Sequence, residues 1–594
     1  MCGIVGYSGT KEAREVIVEG LKRLEYRGYD SAGVALYNRK TGHVHVYKDK
    51  GRVAHLEEII DYSYPVNLGI GHTRWATHGE PNEANSHPQV SSSGRFFVVH
   101  NGVIDNYKEL ITEYLNESVF SSETDTEVIA HLIERFSYKM SVSEAIRKTM
   151  SLLEGSYALA IIDQYNPDKL YAAKNKSPLL IGVSDDGTIV ASDLMACIGH
   201  SERFVPLDDK TFVEIDGATF HIRDIIGKEV LIDEHPIEVD YEHIEKGDHS
   251  HFMLKEIMEQ PLVLRRIIQT YFDGEKTLIN SDIIQDIRES DRLYIIAAGT
   301  SMHAGYVGKR LFEELGGIPT EVHIASEFAY NMPLLSKKPL FIFISQSGET
   351  ADLRAVLVNI KAKGYRSLTI TNVKTSTLAR EADHFVEILA GPEIAVASTK
   401  AYTAQIAILA VLAYSLSEQR FSLRKELSKI AIGIDNIIDK KGYIESLTKD
   451  YLTKRNCFYI GRGIDYYCGL EASLKLKEIS YIQTEGFAAG ELKHGTIALI
   501  EKNTPVIAII SQRSISKNTR SNLNEVKSRG AYTLVISTRG VHEAGDQIVV
   551  DDTHELLSPM LTVVPTQLIA YYAALHRGYD IDKPRNLAKS VTVE

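Results

Sequence analysis

The sequence predicts an α+β N-terminal block followed by two α/β domains with parallel sheets, and three observations carry that expectation. Residues 1–225 alternate short β-runs with a few helical stretches. From about residue 283 the texture becomes strand–loop–helix, the pattern of a parallel sheet. Within that second half the chain repeats itself. LYIIAAGTS (293–301) returns as FYIGRGID (458–465), FIFISQSGE (341–349) as VIAIISQRS (506–514), and KGYRSLTIT (363–371) as RGAYTLVIS (529–537). Aligning Gly299 with Gly463, Ser345 with Ser511 and Gly364 with Gly530 gives offsets of 164, 166 and 166. So long a period means a duplicated domain, not a solenoid.

The elements follow in order. CGIVGY reads as a first strand, and KEAREVIVEGLKRLEYRG (11–28) as a helix with Ile17, Leu21 and Leu24 on one face. Strands are expected at GVALYN (33–38), HVHVYKD (43–49), FFVVHNG (96–102), YALAIID (157–163) and TFVEID (211–216), with a helix at TEVIAHLIERF (126–136). A polar stretch at 233–252 reads as an interdomain connection. The expected layout is a first domain at 2–225, a linker at 226–248, and a region at 249–594. That region holds the two copies at 283–422 and 449–584 and a tail at 585–594.

Composition narrows the function. The chain has 594 residues, 44% of them apolar and 24% charged, with a net charge of −13. That acidic balance argues against nucleic acid or an anionic membrane as main partner. Four scattered cysteines form no disulfide framework and no CxxC zinc pair, so a reduced, cytoplasmic chain is expected. No basic-then-apolar leader precedes Cys2. AQIAILAVLAYSL (404–416), read as the most apolar stretch, falls short of the ~20 residues of a spanning helix. It is expected to be a buried helix.

Several residues carry chemistry. Removal of Met1 would leave Cys2 with a thiol and a free α-amine, a nucleophile and a base on one residue; the α-amine titrates near pH ~7.7–8. The plain alternative is a cysteine buried in a first strand. The loops AAGTS and SQSGET follow strands, where helix N-termini offer free N–H groups, and Thr350 is placed to cap the next helix. Neither loop matches the GxxxxGK[ST] or GxGxxG patterns. A small phosphorylated molecule held by Ser and Thr hydroxyls therefore fits better than a nucleotide. The second copy has SQRSIS and GRGID instead and has lost the pattern. It carries Glu471, Lys475 and Glu478 at i, i+4 and i+7 of a helix, which from spacing alone reads as a solvated salt-bridge ladder. Beyond it, EGFAAGELKHG (485–495) is a glycine-broken loop bearing His494.

CGIVGY, EYRGYDS (25–31), GHTRWATHG (71–79), HNG (100–102) and SETDTE (122–127) resemble the class II glutamine amidotransferases, whose glutaminase domain is an N-terminal-nucleophile fold. AGTS, SQSGET, VASTKAY (396–402), LKLKEISY, AAGELKHG and the tail DKPRNLAKSVTVE (582–594) resemble tandem sugar-isomerase (SIS) domains. The full order is similar to the isomerising glutamine–fructose-6-phosphate transaminase family, over essentially the whole chain. One departure is Ala298, where the family often has cysteine; no consequence is expected.

The resemblance implies roles. Cys2 would attack the glutamine carboxamide, with Asn101 and Gly102 as oxyanion hole. Arg74, Thr77, His78 and Asp125 would hold glutamine, and Trp75 would gate an ammonia path. Taken alone, Arg74 reads as a surface salt bridge and Asp125 as an acid at a helix start. Ser301, Ser345, Gln346, Ser347 and Thr350 would bind the sugar phosphate, with Val396 and Ser398 lining the pocket. Lys589 would form a Schiff base with fructose 6-phosphate, although a solvated lysine, with a pKa near ~10.4, is a poor nucleophile at neutral pH. The tail would therefore have to fold into the pocket, stiffened by Pro584 and anchored by Arg585 and Asn586. Glu478 would move the proton between C1 and C2, Lys475 and Glu471 would support that relay, and His494 would assist ring opening from the partner subunit of a homodimer. No metal or organic cofactor is implied. Two rivals are a related sugar-phosphate isomerase or deglycase without a working glutaminase, and a sugar-phosphate-sensing regulator. The intact Cys2, Arg74 and Asp125 set counts against the first, and the want of a basic helix-turn-helix stretch against the second.

Overall fold

A computed structural model describes residues 2–75, 79–237, 245–418 and 421–592. The chain divides into two compact units, Met1–Asp240 with Ser590–Glu594, and Tyr241–Lys589.

In the first unit two antiparallel sheets stack face to face. One holds eight strands among the described residues, with Gly3–Gly9 between Leu68–Arg74 and Gly187–Ala191. The other holds six and is centred on Phe96–Ile104, Gly155–Asp163 and Lys169–Asn175. Ile4, Ala35 and Ile70 from the first meet Val99, Ala158 and Ala172 from the second in a shared core. The alternate residues of each sheet face outward against helices. Ala13–Leu24 covers the first sheet with Ile17, Leu21 and Leu24 fully buried. Asp125–Ser137 and Val142–Leu152 cover the second. Alternation within strands and a 3.6 period within helices thus produce four layers, helix–sheet–sheet–helix.

The second unit contains two parallel five-stranded sheets of the same strand order. Arg292–Ala297 in one sheet matches Asn456–Gly461 in the other, Pro339–Ser345 matches Pro505–Ile510, and Arg366–Thr371 matches Tyr532–Thr538. Parallel sheets bury both faces, which is why these strands read as near-continuous Ile, Leu, Val and Phe. A single apolar cluster runs through both copies and includes the helices Phe252–Tyr271, Lys400–Tyr414 and Pro559–His576.

Lys400–Tyr414 is buried along its whole length, as expected of the apolar run 404–416. It is not the segment that most resembles a membrane span. Glu555–His576, of 22 residues and mean hydropathy 1.2, is long and apolar enough to cross a bilayer, yet 94% of its apolar window is buried within the protein. Burial on every side, not lipid, accounts for its composition.

Candidate active sites

In the first unit, pairing of Gly3 with Thr73 sets Cys2 beside Trp75. The Trp75 N–H donates to Cys2 Sγ at 3.2 Å, and the thiol lies 3.5 Å from the Trp75 carbonyl. Burial pushes the Cys2 thiol up, while the Trp75 N–H and Arg74 pull against it. Asn101 Nδ2 donates to the Cys2 carbonyl at 3.0 Å. Its orientation is imposed by His72, whose Nε2 lies 3.0 Å from both Asn101 Oδ1 and the His100 carbonyl. Both partners are acceptors, so Nε2 carries the proton. Burial and then Arg74 drive His72 down to about 3, which keeps the ring neutral. Gly102 has φ 140°, and a Cβ there would lie 2.0 Å from the Ser156 carbonyl. Only glycine fits.

Arg74 and Asp125 are 3% and 4% exposed, so neither is surface decoration. Asp125 does open a helix, but one carboxylate oxygen accepts the Ile104 N–H at 2.8 Å. Arg74 donates to the Gly79 carbonyl at 3.2 Å and lies 3.4 Å from that of Glu80. Glu127 shapes the SETDTE turn by accepting the Ser121 and Ser122 N–H groups at 2.8 and 2.7 Å. Thr77 and His78 lie outside the described residues.

In the second unit, the loops after Arg292–Ala297 and Pro339–Ser345 sit at the carboxyl ends of neighbouring parallel strands, the usual place for ligands in such sheets. Ser301 lies in the first turn of helix Gly299–Leu311 and accepts from Gln405 Nε2 at 3.0 Å. Ser345 Oγ accepts the Gly348 N–H at 3.0 Å and lies 3.0 Å from Thr350 Oγ1. Thr350 occupies the N-cap position of helix Ala351–Ala362, but its hydroxyl makes no capping bond. The expected side-chain cap is therefore absent, because that hydroxyl is turned to Ser345. Ser347 Oγ accepts the Glu349 N–H at 3.2 Å, and the Gln346 carbonyl accepts from Asn372.

The expectation of a solvated ladder at Glu471, Lys475 and Glu478 is overturned. Glu471 and Lys475 are 0% and 1% exposed, and Glu478 is half-buried, at the contact between helices Gly299–Leu311 and Ile464–Ser480. Lys475 Nζ lies 2.7 Å from Glu478 and 3.5 Å from Glu471. Glu471 also receives Thr300 Oγ1 at 3.1 Å and His303 Nδ1 at 2.7 Å, which ties this buried trio to the AGTS loop. Burial works against the charge on Lys475, but its two carboxylate neighbours outweigh it and push the ammonium up. Burial raises Glu478, partly offset by Lys475.

The tail reaches this region. Lys589 Nζ donates to Glu393 Oε2 at 2.6 Å and to the Ala395 carbonyl at 2.8 Å. The Arg585 N–H donates to Tyr481 Oη at 2.8 Å, and its guanidinium lies 4.1 Å from that ring's centre. Ser398 Oγ donates to Glu393 at 2.8 Å, and the Val396 N–H to the Asp582 carbonyl at 2.9 Å. His494, at the end of the short turn Glu491–His494, is exposed and joins none of these contacts. Reasoning from sequence missed Glu393 and His72. Glu393 has no periodicity or spacing to mark it, whereas His72 stands inside GHTRWATHG beside residues that were singled out.

The second copy closes its own loop. Asp465 stands where the alignment puts Ser301, and it accepts the Ser511 N–H at 2.9 Å and the Ser511 hydroxyl. In the first copy the corresponding hydroxyl, that of Ser345, instead meets Thr350 and the Gly348 N–H.

Residues 72–198 match the glutamine amidotransferase domain family, and residues 286–415 and 451–577 each match the SIS domain. Over their full lengths, the glutamine–fructose-6-phosphate aminotransferases [isomerizing] of Listeria monocytogenes serovar 1/2a and Geobacillus kaustophilus are each 56% identical to this chain. A solved structure, the C-terminal domain of glucosamine-fructose-6-phosphate aminotransferase from Francisella tularensis, is 34% identical with a TM-score of 0.53, covering 57% of this chain and 99% of that one. With full-length relatives at this identity and all three domains in the same order, the chain belongs to the isomerising glutamine–fructose-6-phosphate aminotransferase family.

Proposed function

We propose that the chain hydrolyses glutamine and uses the ammonia to convert fructose 6-phosphate into glucosamine 6-phosphate, the first step of amino sugar biosynthesis. The observation that carries this reading is Lys589: a terminal lysine held by a buried carboxylate and a carbonyl, in the same unit as a hydroxyl-lined loop and a buried Glu–Lys–Glu relay.

In the first unit, Cys2 freed of Met1 attacks the carboxamide carbon with its own amine as base. Asn101 Nδ2 and the Gly102 N–H receive the oxyanion, the C–N bond breaks, and water releases glutamate from the thioester. Arg74, Thr77, His78 and Asp125 hold the amino-acid end of glutamine, and Trp75 gates the ammonia path. In the second unit, Ser301, Ser345, Gln346, Ser347 and Thr350 seat the phosphate, beside Val396 and Ser398. Lys589 Nζ attacks the keto carbon and water leaves; ammonia then displaces the lysine. Glu478 takes a proton from C1 and returns it at C2, with Lys475 and Glu471 sustaining its charge. His494 of a second subunit opens the sugar ring, so the working form is a cytoplasmic homodimer.

Paired variants test this. Cys2→Ala should lose glutamine-dependent synthesis and keep synthesis from added ammonia. Lys589→Arg should lose both and keep glutamine hydrolysis. Glutamine-dependent synthesis by Cys2→Ala, or any synthesis by Lys589→Arg, would end the reading of that residue.

A further inference from the structure

Asn85 has no part in the scheme above, yet its side chain bonds on both sides. It is 1% exposed. The amide nitrogen donates to the Glu80 carbonyl at 3.1 Å and to Glu123 Oε2 at 3.0 Å, and Oδ1 accepts the Glu123 N–H at 2.9 Å. Two acceptors on one side and a donor on the other fix which way the amide points. The backbone beneath it is held as well. Asn82 Oδ1 accepts the Asn85 N–H at 2.8 Å, and the Ser86 hydroxyl donates to the Asn82 carbonyl at 2.7 Å. Gln89 Nε2 donates to the carbonyls of Ala84 and Ser86, both at 3.1 Å. Gly79, at φ 76°, lies directly against this arm: a Cβ there would come within 2.6 Å of the Asn85 amide nitrogen.

The two ends of this clasp lead to the two charged groups of the glutamine site. On one side Asn85 holds Glu80, whose carbonyl also lies 3.4 Å from Arg74, next to the Gly79 carbonyl that accepts from Arg74 at 3.2 Å. On the other side it holds Glu123, two residues before Asp125 opens its helix. Arg74 ends a strand of the eight-stranded sheet, whereas Asp125 belongs to the helix layer over the six-stranded sheet. We propose that Asn85 is a positioning residue for glutamine: it clasps the segment that supports Arg74 to the turn that carries Asp125, and so fixes the spacing of the two groups that seat the amino-acid end of the substrate. A free amino acid holds its carboxylate and ammonium a fixed distance apart, so a seat for both tolerates little error in spacing. The chemistry of the clasp demands an amide, which donates twice and accepts once within one short side chain. An aspartate of the same shape would keep the Glu123 N–H bond, lose both donors and set a carboxylate against that of Glu123.

The inference rests on Arg74 and Asp125 as the glutamine seat, and the test separates the two. Steady-state glutamine hydrolysis by the full-length protein gives kcat and KM. Asn85→Asp should raise KM for glutamine about tenfold or more and hold kcat within about threefold, as expected when binding common to ground and transition states is lost. Adding Glu123→Gln reverses donor and acceptor across that contact, and KM should fall back by about threefold or more. A merely structural role would bring no such recovery. An unchanged KM in Asn85→Asp, a loss confined to kcat, or a double variant no better than the single one would overturn the proposal. Alkylation of Cys2 by iodoacetamide at the wild-type rate checks that the first unit is folded. Where Asn85→Asp fails that check, Glu123→Ala, at the exposed end of the clasp, carries the test. Its KM should rise about threefold, and a wild-type KM overturns the proposal. Arg74→Lys and Asp125→Asn address the underlying reading. Wild-type KM for glutamine in both removes the seat itself; a raised KM there beside an unchanged one in Asn85→Asp removes Asn85 alone.

Discussion

At the scale of single residues, burial decides what a charged or polar side chain does here. His72 shows the consequence for catalysis. Its Nε2–H is bonded to Asn101 Oδ1, so the Asn101 amide cannot flip and its NH₂ stays turned to Cys2. If Asn101 serves as an oxyanion donor, His72→Ala should free that amide and weaken it. The expected result is a loss of about 10²-fold in kcat for glutamine hydrolysis, with little change in KM. Synthesis from added ammonia should be untouched. Steady-state glutaminase kinetics beside an ammonia-dependent assay check it; a rise in KM alone would place His72 in binding instead. Glu471 and Lys475 teach the same lesson in reverse. Their i, i+4 spacing describes a surface ladder as well as a buried ion-pair cluster, and only the helix packed across them tells the two apart.

At the scale of elements, periodicity was a good guide and side-chain capping a poor one. The helix expected at 11–28 forms over Ala13–Leu24 and continues as a short 3₁₀ turn, Glu25–Arg27, and the expected strands all form within a few residues of their reading. Thr350 holds the N-cap position but spends its hydroxyl on Ser345, because the SQSGET loop is organised around its own hydroxyls. That arrangement motivates a prediction. If Ser347 and Thr350 donate to the sugar phosphate, each charge-assisted bond contributes about 1.5–3 kcal/mol. Ser347→Ala or Thr350→Ala should then raise KM for fructose 6-phosphate about 10- to 100-fold and spare KM for glutamine. An unchanged constant in both variants would take the loop out of the site. The turn itself depends on Gly348, at φ 68°, where a Cβ would lie 1.9 Å from Ser376 Oγ.

At the scale of the whole molecule, His494 matters most, since it is exposed and joins none of the contacts around Lys589. If it serves the site of a second subunit, inactive variants should complement each other. Lys589→Arg and His494→Ala preparations, each without synthesis alone, should regain part of the wild-type rate after subunits are exchanged. Mixtures that stay inactive after exchange has been verified would assign His494 to its own chain. Fold class, duplication and the division into two chemical halves are all legible in the unfolded chain. Alternation, helical period and the near-constant offset of 164 to 166 residues are local or linear properties that a chain carries unfolded. Tertiary structure alone decided that Asp465 closes the second copy's loop, that Glu393 grips Lys589, and that Glu471 is a buried partner of His303. Each of these joins residues 46 to 196 positions apart. A hydrogen bond or buried charge pair draws its strength from the desolvated surroundings that packing creates, and no spacing in the sequence records those.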